Sequence, residues 1–262
     1  MPTSVPASPG SSAAGSAAGS AAGSAAGSAA GSAASFQQAM IDVVAKVRPS
    51  VVEISTASDL GSGVVFDDRG DIVTNAHVVG SATQFQVTSF NGHSMTAALV
   101  GTYPPDDLAV VRVASPRDLS PATFGDSSGL QVGEVDLAIG NPLGLASSVT
   151  EGIVSFNGRT VPEGNGVVLP ATVQTSPAIN PGNSGGALVD LDTQVIGIPT
   201  LAASDPQLGG GAAPGIGFAI PSNTVKLIAG QLVGTGKVTR TGRAALGIAG
   251  ATAAGPRASP KV

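Results

Sequence analysis

The 262-residue chain contains no cysteine, which excludes disulfide bonds, thiolate metal sites and a cysteine nucleophile. Charged residues are also scarce, at 11% of the sequence, whereas an ordinary soluble domain has about 25%. The 12 basic residues are scattered singly and the net charge is −5, so no surface for nucleic acid is expected. No apolar run approaches the ~18 residues of a transmembrane helix. No charged region of a signal peptide is expected either, because the first basic residue is Lys46.

What the chain does have is apolar residues, at 42%, together with 37 glycines and 19 prolines. The apolar share is large enough for a sizeable core. Glycine and proline in these amounts disfavour a helical bundle, because both residues destabilise helix interiors. The composition is typical of many short strands joined by tight turns.

The first 34 residues are of low complexity. Ser-Ala-Ala-Gly repeats from Ser12 to Gly31, and each glycine costs a helix about 1 kcal/mol relative to alanine. With no apolar face to bury, residues 1–34 are expected to form a flexible, disordered linker. Ser35 is the expected N-cap of a short helix, and Pro49 is expected to follow its end.

Short apolar runs separated by turn residues follow this helix, about six on each side of a loop near residues 115–126. They predict an all-β protein with two six-stranded antiparallel β-barrels, at about 50–115 and 126–221, and a late helix at 223–233 between Ser222 and Gly234. The predicted strands are 50–55, 63–66, 71–74, 84–88, 95–100, 108–113, 135–139, 149–156, 167–174, 186–190, 194–200 and 217–220.

A glycine-rich loop, Asn-Pro-Gly-Asn-Ser-Gly-Gly at positions 180–186, holds a single serine. Small neighbours expose the Ser184 hydroxyl, and the backbone N–H groups around Gly182 and Ser184 can converge into an oxyanion hole. Taken alone, this segment is equally consistent with a glycine-rich turn whose serine has no function.

The histidines and the acidic residues near them are ambiguous when taken one at a time. His77 ends an apolar strand and by itself is more often a satisfied core residue, while His93 lies in a turn and is expected to be solvated. Asp107 opens an apolar strand, where a buried carboxylate needs a partner such as an imidazole N–H. Its neighbour Asp106 competes for that role.

The order of the three candidate residues along the chain argues against the explanations in which each has no catalytic role. His77, Asp107 and Ser184 follow the chymotrypsin-type order, and their separations of 30 and 77 residues place the first two in one barrel and the serine in the other. No Gly-x-Ser-x-Gly elbow precedes a helix, which counts against an α/β-hydrolase. A plain β-sandwich binding domain gives no reason for this order, and no His, Asp or Glu cluster has the spacing of metal ligands.

From about residue 49 to 248 the chain resembles the HtrA (high-temperature-requirement) family of bacterial trypsin-like serine proteases. Seven segments carry the resemblance: Pro-Ser-Val-Val at 49–52, Gly-Ser-Gly-Val at 61–64, Thr-Asn-Ala-His-Val-Val at 74–79, Asp-Leu-Ala-Val at 107–110, Gly-Asn-Pro-Leu-Gly at 140–144, Ile-Asn-Pro-Gly-Asn-Ser-Gly-Gly-Ala-Leu at 179–188 and Gly-Phe-Ala-Ile-Pro at 217–221. The resemblance implies His77 as general base, Asp107 as its orienting carboxylate, Ser184 as nucleophile, and the N–H groups of Gly182 and Ser184 as oxyanion hole.

The resemblance also implies an organisation and a setting. Residues 35–240 are expected to be the protease domain, and residues 241–262 the beginning of a PDZ domain that this tail is too short to complete. A homotrimer in the cell envelope, periplasmic or secreted, is implied, with residues 36–47 as an interface element. Two residues depart from the family: Asp136 stands where an apolar residue is usual, and Pro199 where asparagine is common.

The function expected from these features is a serine endopeptidase that cleaves unfolded or misfolded proteins for quality control, without cofactor or metal. The alternative is a non-catalytic chaperone or peptide-binding module on the same fold. By the numbering of the trypsin-like fold, the substrate pocket is expected to include Ala178, Ile179, Pro199 and Thr200. These residues carry no charge, so the pocket is expected to take aliphatic side chains rather than Lys or Arg.

Overall fold

Two closed barrels of six antiparallel strands dominate the structure, a computed structural model that describes residues 17–57, 59–141, 148–164, 167–180, 182–205 and 211–243. The first barrel consists of β1 Val51–Ser55, β2 Leu60–Val65, β3 Asp71–Thr74, β4 Gln84–Thr88, β5 Ser94–Tyr103 and β6 Leu108–Val113. The second consists of β7 Val135–Gly140, β8 Ser148–Gly164, β9 Val167–Thr175, β10 Ala187–Val189, β11 Val195–Asp205 and β12 Gly211–Pro221. The helices are α1 Ala17–Val47, α2 Ala76–Val79 and α3 Ser222–Thr235. The predicted all-β, two-barrel fold is confirmed.

Each barrel closes around its own apolar interior. The strand order is β1-β2-β3-β6-β5-β4 in the first barrel and β10-β11-β12-β9-β8-β7 in the second. Burial of each aliphatic side chain contributes about 1.5–3 kcal/mol, so these interiors are a main source of stability. Fully or nearly fully buried residues inside the barrels include Val52, Ile54, Ile72, Val87 and Val111 in the first, and Val154, Val173, Leu188, Ile196 and Ala219 in the second.

A third apolar cluster joins the two barrels. Val51 and Val64 in the first barrel, and Leu137 and Ile139 in the second, belong to it, while their neighbours along the strand face the barrel interiors. Because successive side chains of a strand alternate in direction, both faces of these strands are buried. This double burial explains why the strands read as continuous apolar runs instead of alternating patterns. Helix α3 packs into the same cluster through Val225, Ile228 and Leu232.

The predicted strand positions agree with the structure, but several strands extend further. β8 and β9 continue as a two-stranded ribbon beyond the barrel, with Arg159 opposite Thr172 and Val161 opposite Leu169. β11 and β12 likewise pair as far as Asp205 and Gly211. The apolar run of β8 ends earlier because polar residues are acceptable in a ribbon, where pairing depends on the backbone. The added residues of β11 and β12 are mostly alanine, glycine and other apolar residues, and their strand structure follows from pairing with each other.

The amino-terminal helix is much longer than predicted. Helix α1 begins at Ala17, so the expectation of a disordered linker is corrected for residues 17–34, and residues 1–16 lie outside the described part of the chain. Ser35 does not cap the helix, because its hydroxyl donates to the Gly31 carbonyl within it, at 2.9 Å. Two alanines in every repeat favour the helix, and extension from the packed turns around Val43 avoids the cost of nucleation. The expected end before Pro49 is confirmed.

The carboxyl-terminal helix also differs at both ends. Ser222 is its first residue, and the hydroxyl donates to the Gly125 carbonyl at 2.9 Å instead of capping the helix. The helix passes Gly234 and ends at Thr235, where Gly236 adopts a φ of 70° and donates its N–H to Leu232. Of the expected tail, only residues 241–243 lie in the described part. No helix of the described chain combines the length and hydrophobicity needed to cross a membrane.

Candidate active site

His77 and Asp107 form a closely coupled pair at one end of the first barrel. His77 lies in the short helix α2 directly after β3, and Asp107 directly precedes β6. The two Asp107 carboxylate oxygens accept from the ring Nδ1 of His77 at 2.8 Å and from its backbone N–H at 3.0 Å. With the proton on Nδ1, the Nε2 atom of His77 carries the lone pair that a general base needs.

The backbone of Asp107 is held in an uncommon conformation. Its φ of 48° lies in the left-handed region, which is strained for a residue with a side chain. The Asp107 carbonyl accepts from the backbone N–H of Ala76 at 3.0 Å and from the side-chain amide of Asn75 at 3.1 Å. Asn75 therefore supports the position of Asp107. It lies in the Thr-Asn-Ala-His-Val-Val segment at 74–79, but its local sequence does not indicate this role.

Thr200 connects the carboxylate to the serine loop. Its hydroxyl donates to Asp107 Oδ2 at 2.5 Å, and its backbone carbonyl accepts from the Ser184 hydroxyl at 3.3 Å. The sequence predicted Thr200 for the wall of the substrate pocket, whereas the structure directs its buried side chain to Asp107. No local pattern reveals this contact, because 93 residues separate the two partners.

Ser184 lies on a tight loop whose backbone requires glycine. Gly182 and Gly185 have φ values of 110° and 80°. A Cβ atom on Gly185 would lie 2.3 Å from the Ser62 carbonyl oxygen, so no larger residue fits. Among the residues that the structure describes, the backbone N–H groups of Gly182 and Ser184 have no hydrogen-bond acceptor. Two such donors on one loop are available to a developing negative charge.

The other predicted pocket residues have distinct environments. Ala178 is exposed, and its carbonyl accepts from Asn183 Nδ2 at 2.9 Å and from Thr150 Oγ1 at 3.0 Å. Ile179 is only 8% exposed and contacts Gly217, where an added Cβ would lie 2.4 Å from Ile179 Cγ1. Pro199 is buried, and its carbonyl accepts from the Gly185 N–H at 2.9 Å.

The competing histidine and aspartate are engaged elsewhere. His93 Nδ1 pairs with Asp118 Oδ2 at 2.7 Å, and both side chains are well exposed, in keeping with the expected turn residue. Asp106 is buried and forms an ion pair with Arg243. Asp107, rather than Asp106, is thus the carboxylate that contacts His77.

Asp136 is a buried carboxylate in the second barrel, outside the His77–Asp107 pair. It is fully buried on β7 and accepts from the Thr175 hydroxyl at 2.5 Å. Its second oxygen has no partner among the described residues. Burial raises the pKa of Asp136 from its ordinary value of 3.8 to about 6, and the Thr175 hydrogen bond offsets only part of this effect.

This pKa predicts a pH-dependent loss of stability. Because the folded-state pKa lies above the unfolded value, stability is highest when Asp136 is protonated and falls as the pH rises from about 4 to 6. Asp136→Asn keeps an acceptor for Thr175 without the charge. We expect it to stabilise the fold by about 2–3 kcal/mol at pH 8 and to have little effect at pH 4, as measured by urea unfolding.

Asp126 provides the matched control for this measurement. Hydrogen bonds from the Ser128 N–H and hydroxyl and from the Asn223 side chain lower its pKa to about 2. Asp126→Asn should therefore destabilise the protein at neutral pH, in the opposite direction. An Asp136→Asn variant with the same pH profile of stability as the parent would show that the buried carboxylate is not the cause.

Two antiparallel barrels, with a His–Asp pair on the first and a glycine-rich serine loop on the second, define the class of trypsin-like serine peptidases. The family model of the trypsin-like peptidase domain matches residues 61–198, which is more than half of the chain. The chain belongs to the HtrA family of trypsin-like serine proteases, as its relatives show.

The relatives are bacterial proteases of greater length. The periplasmic serine endoprotease DegP of Escherichia coli is 46% identical over 183 residues, covering 69% of this chain and 37% of that protein. The serine protease PepD of Mycobacterium tuberculosis is 41% identical over 227 residues, covering 79% and 48%. The solved structure of the HtrA-type protease AlgW with a tripeptide is 39% identical, with a TM-score of 0.68 over 76% of this chain and 64% of that one. The chain thus spans less than half of these two curated relatives.

Proposed function

We propose that this chain is a serine endopeptidase in which His77, Asp107 and Ser184 form the catalytic triad. The observation that carries the proposal is the hydrogen-bonded connection from the His77 ring through Asp107 and Thr200 to the Ser184 hydroxyl. This connection spans both barrels, as expected for a site in the cleft between them. The buried Asp107 side chain accepts hydrogen bonds from three donors on its two oxygens and thereby fixes the imidazole.

In the proposed reaction, His77 Nε2 removes the proton of the Ser184 hydroxyl as Oγ attacks the peptide carbonyl carbon. The tetrahedral oxyanion accepts hydrogen bonds from the N–H groups of Gly182 and Ser184. His77 then gives its proton to the leaving amine, and an acyl-enzyme remains on Ser184. Water, deprotonated by His77, hydrolyses this ester and restores the serine. Among the described residues, the Ser184 hydroxyl has one hydrogen-bond partner, the Thr200 carbonyl at 3.3 Å, so little is lost when it turns to substrate.

We further propose that the substrates are unfolded or misfolded proteins in the cell envelope, and that the protease domain covers residues 35–240. The relatives of this chain include periplasmic endoproteases, which supports the proposed compartment. Phe36 and Ile41 are 43% and 50% exposed on α1, and such apolar side chains suit contacts between subunits of a homotrimer.

A casein-degradation assay tests the proposed function. β-Casein, which is largely unfolded, should be cleaved, and a stably folded protein of similar size should remain intact. The same preparation carrying Ser184→Ala serves as the control. Intact casein under all conditions would favour the alternative, a non-catalytic chaperone or peptide-binding module.

Cleavage is predicted to follow Val, Ala or Leu rather than Lys or Arg. By resemblance to trypsin-like proteases, we assign the floor of the primary specificity pocket to Ala178, six residues before Ser184, and it offers no carboxylate to a cationic side chain. Selectivity among aliphatic residues should be modest, because one methylene is worth about 1–3 kcal/mol. Mass-spectrometric mapping of β-casein fragments measures this preference.

An Ala178→Asp variant is the matched test of the pocket assignment. It adds a carboxylate at an exposed position, so the core is undisturbed, and cuts after Lys and Arg should appear. A majority of cuts after Lys or Arg in the unmodified protein would show that the pocket has been assigned to the wrong residues.

A further inference from the structure

Ser62 is a fully buried serine on β2 that faces the nucleophile loop from the opposite barrel. The backbone on either side of it is tightly enclosed. A Cβ on Gly61 would lie 2.7 Å from Val78, and one on Gly63 would lie 2.6 Å from Ile54 and Ile72. Neither neighbour of Ser62 has room for a side chain, so the backbone of β2 is closely packed at this point.

Among the described residues, Ser62 makes four hydrogen bonds outside the strand pairing, and three of them reach the second barrel. Its backbone N–H donates to the Ser184 carbonyl at 3.0 Å, and its hydroxyl donates to the Gly182 carbonyl at 2.5 Å. The same hydroxyl accepts from the Asn141 N–H at 2.9 Å. Its own carbonyl accepts from the Thr74 hydroxyl at 2.7 Å, which anchors Ser62 to β3.

These contacts fix two peptide groups of the loop, Gly182–Asn183 and Ser184–Gly185, which flank the peptide that carries the Ser184 N–H. Ser62 holds the carbonyls of Gly182 and Ser184, the residues on both sides of Asn183. The carbonyl of Asn183 accepts from the Gly186 N–H at 3.0 Å, inside the loop. In a trans peptide the N–H points opposite to the carbonyl. The N–H of Ser184 is therefore directed away from the interior of the loop.

We propose that Ser62 is a positioning residue that fixes the peptide groups on both sides of the Asn183–Ser184 peptide and thereby holds the oxyanion-binding N–H of Ser184 in its working orientation. The inference rests on the proposed function, because it concerns the same loop. Removal of the hydroxyl leaves the buried Gly182 carbonyl and the buried Asn141 N–H without their partner. Since both groups must find new hydrogen bonds, the Gly182–Asn183 peptide is free to turn, and the adjoining peptide with the Ser184 N–H loses one of its two fixed neighbours.

Steady-state kinetics of Ser62→Ala with a fluorogenic peptide test the inference. We expect kcat to fall about 10- to 100-fold, less than the loss of a whole oxyanion donor, with KM changed less than about threefold. The Ki of a peptide aldehyde, whose tetrahedral adduct places an oxyanion in the same position, should rise in parallel with the loss of kcat/KM. A residue with only a structural role would not produce this pattern.

Ser222→Ala is the matched control. Ser222 is also fully buried, and its hydroxyl also donates to a glycine carbonyl, that of Gly125, at 2.9 Å. It should lower the melting temperature to a similar extent and leave kcat within about twofold. If Ser222→Ala lost as much kcat as Ser62→Ala, the effect would be one of general destabilisation, and the inference would be overturned.

Two further results separate this inference from the proposed function. A parent protein that neither hydrolyses peptides nor reacts with a fluorophosphonate would overturn both. A fully active parent with an equally active Ser62→Ala variant would overturn the inference alone.

Should Ser62→Ala fail to fold, Ser62→Cys keeps a similar shape with a weaker donor. Its kcat should lie clearly below that of the parent, and an unchanged kcat would overturn the inference as well.

Discussion

Ser184→Ala is expected to reduce the rate of peptide hydrolysis by about 10⁴- to 10⁶-fold, the scale on which removal of a serine nucleophile acts in such triads. Without Oγ no acyl-enzyme can form, and only stabilisation by the oxyanion-binding N–H groups remains. In the part of the chain that the structure describes, the Ser184 hydroxyl makes a single 3.3 Å bond, to the Thr200 carbonyl, so folding should be undisturbed. The initial rate on a fluorogenic peptide and the melting temperature together measure both effects.

A serine with a similarly weak contact provides the control for this variant. The Ser155 hydroxyl donates to the Ile153 carbonyl at 3.4 Å. Ser155→Ala should retain the full rate. A Ser184→Ala protein that still hydrolyses the peptide at the parental rate would remove Ser184 from the mechanism.

Asp107→Asn is expected to lower kcat by about 10⁴-fold. The carboxylate accepts from His77 Nδ1, whereas an asparagine amide in its place donates a proton to that nitrogen. The imidazole then carries its proton on Nε2, so this nitrogen cannot accept the proton of Ser184. The Asp107 side chain is buried, so water cannot replace the carboxylate as the acceptor of the Nδ1 hydrogen bond.

The chain contains a second His–Asp pair that serves as a matched control. Asp118 contacts His93 Nδ1 at 2.7 Å and, like Asp107, has a positive φ, but both partners are exposed. Asp118→Asn should leave kcat unchanged. Asp106→Asn should also preserve proton transfer, because its partner is Arg243. Equal losses of kcat in the Asp107 and Asp118 variants would contradict the assigned role of Asp107.

The strands and the triad candidates could be predicted because their signals are local. Apolar runs between turn residues marked the strands, since both faces of the barrel strands are buried. His77, Asp107 and Ser184 lie in short motifs that resemble those of one family, and their order along the chain agrees with two barrels.

Other features could not be predicted, because they depend on contacts between residues far apart in sequence. Thr200 meets Asp107 across 93 residues, and Ser62 meets Gly182 across 120. Nothing in the local sequence of either residue indicates its partner. Helix α1 was mispredicted for another reason: alanine and glycine oppose one another in each repeat, and continuity with the packed residues near Val43 decides the outcome. Asp136 was recognised as unusual, but its protonation depends on tertiary burial.

Labelling with a fluorophosphonate probe tests the central claim most directly, because the probe reacts only with a serine whose hydroxyl is activated by a neighbouring base. Intact-protein mass spectrometry should show one adduct per chain, and peptide mapping should place it on Ser184. The adduct should be absent from Ser184→Ala and strongly reduced in His77→Ala, while Ser155→Ala should be labelled like the parent. An unlabelled parent protein, or an adduct that persists in Ser184→Ala, would contradict the account.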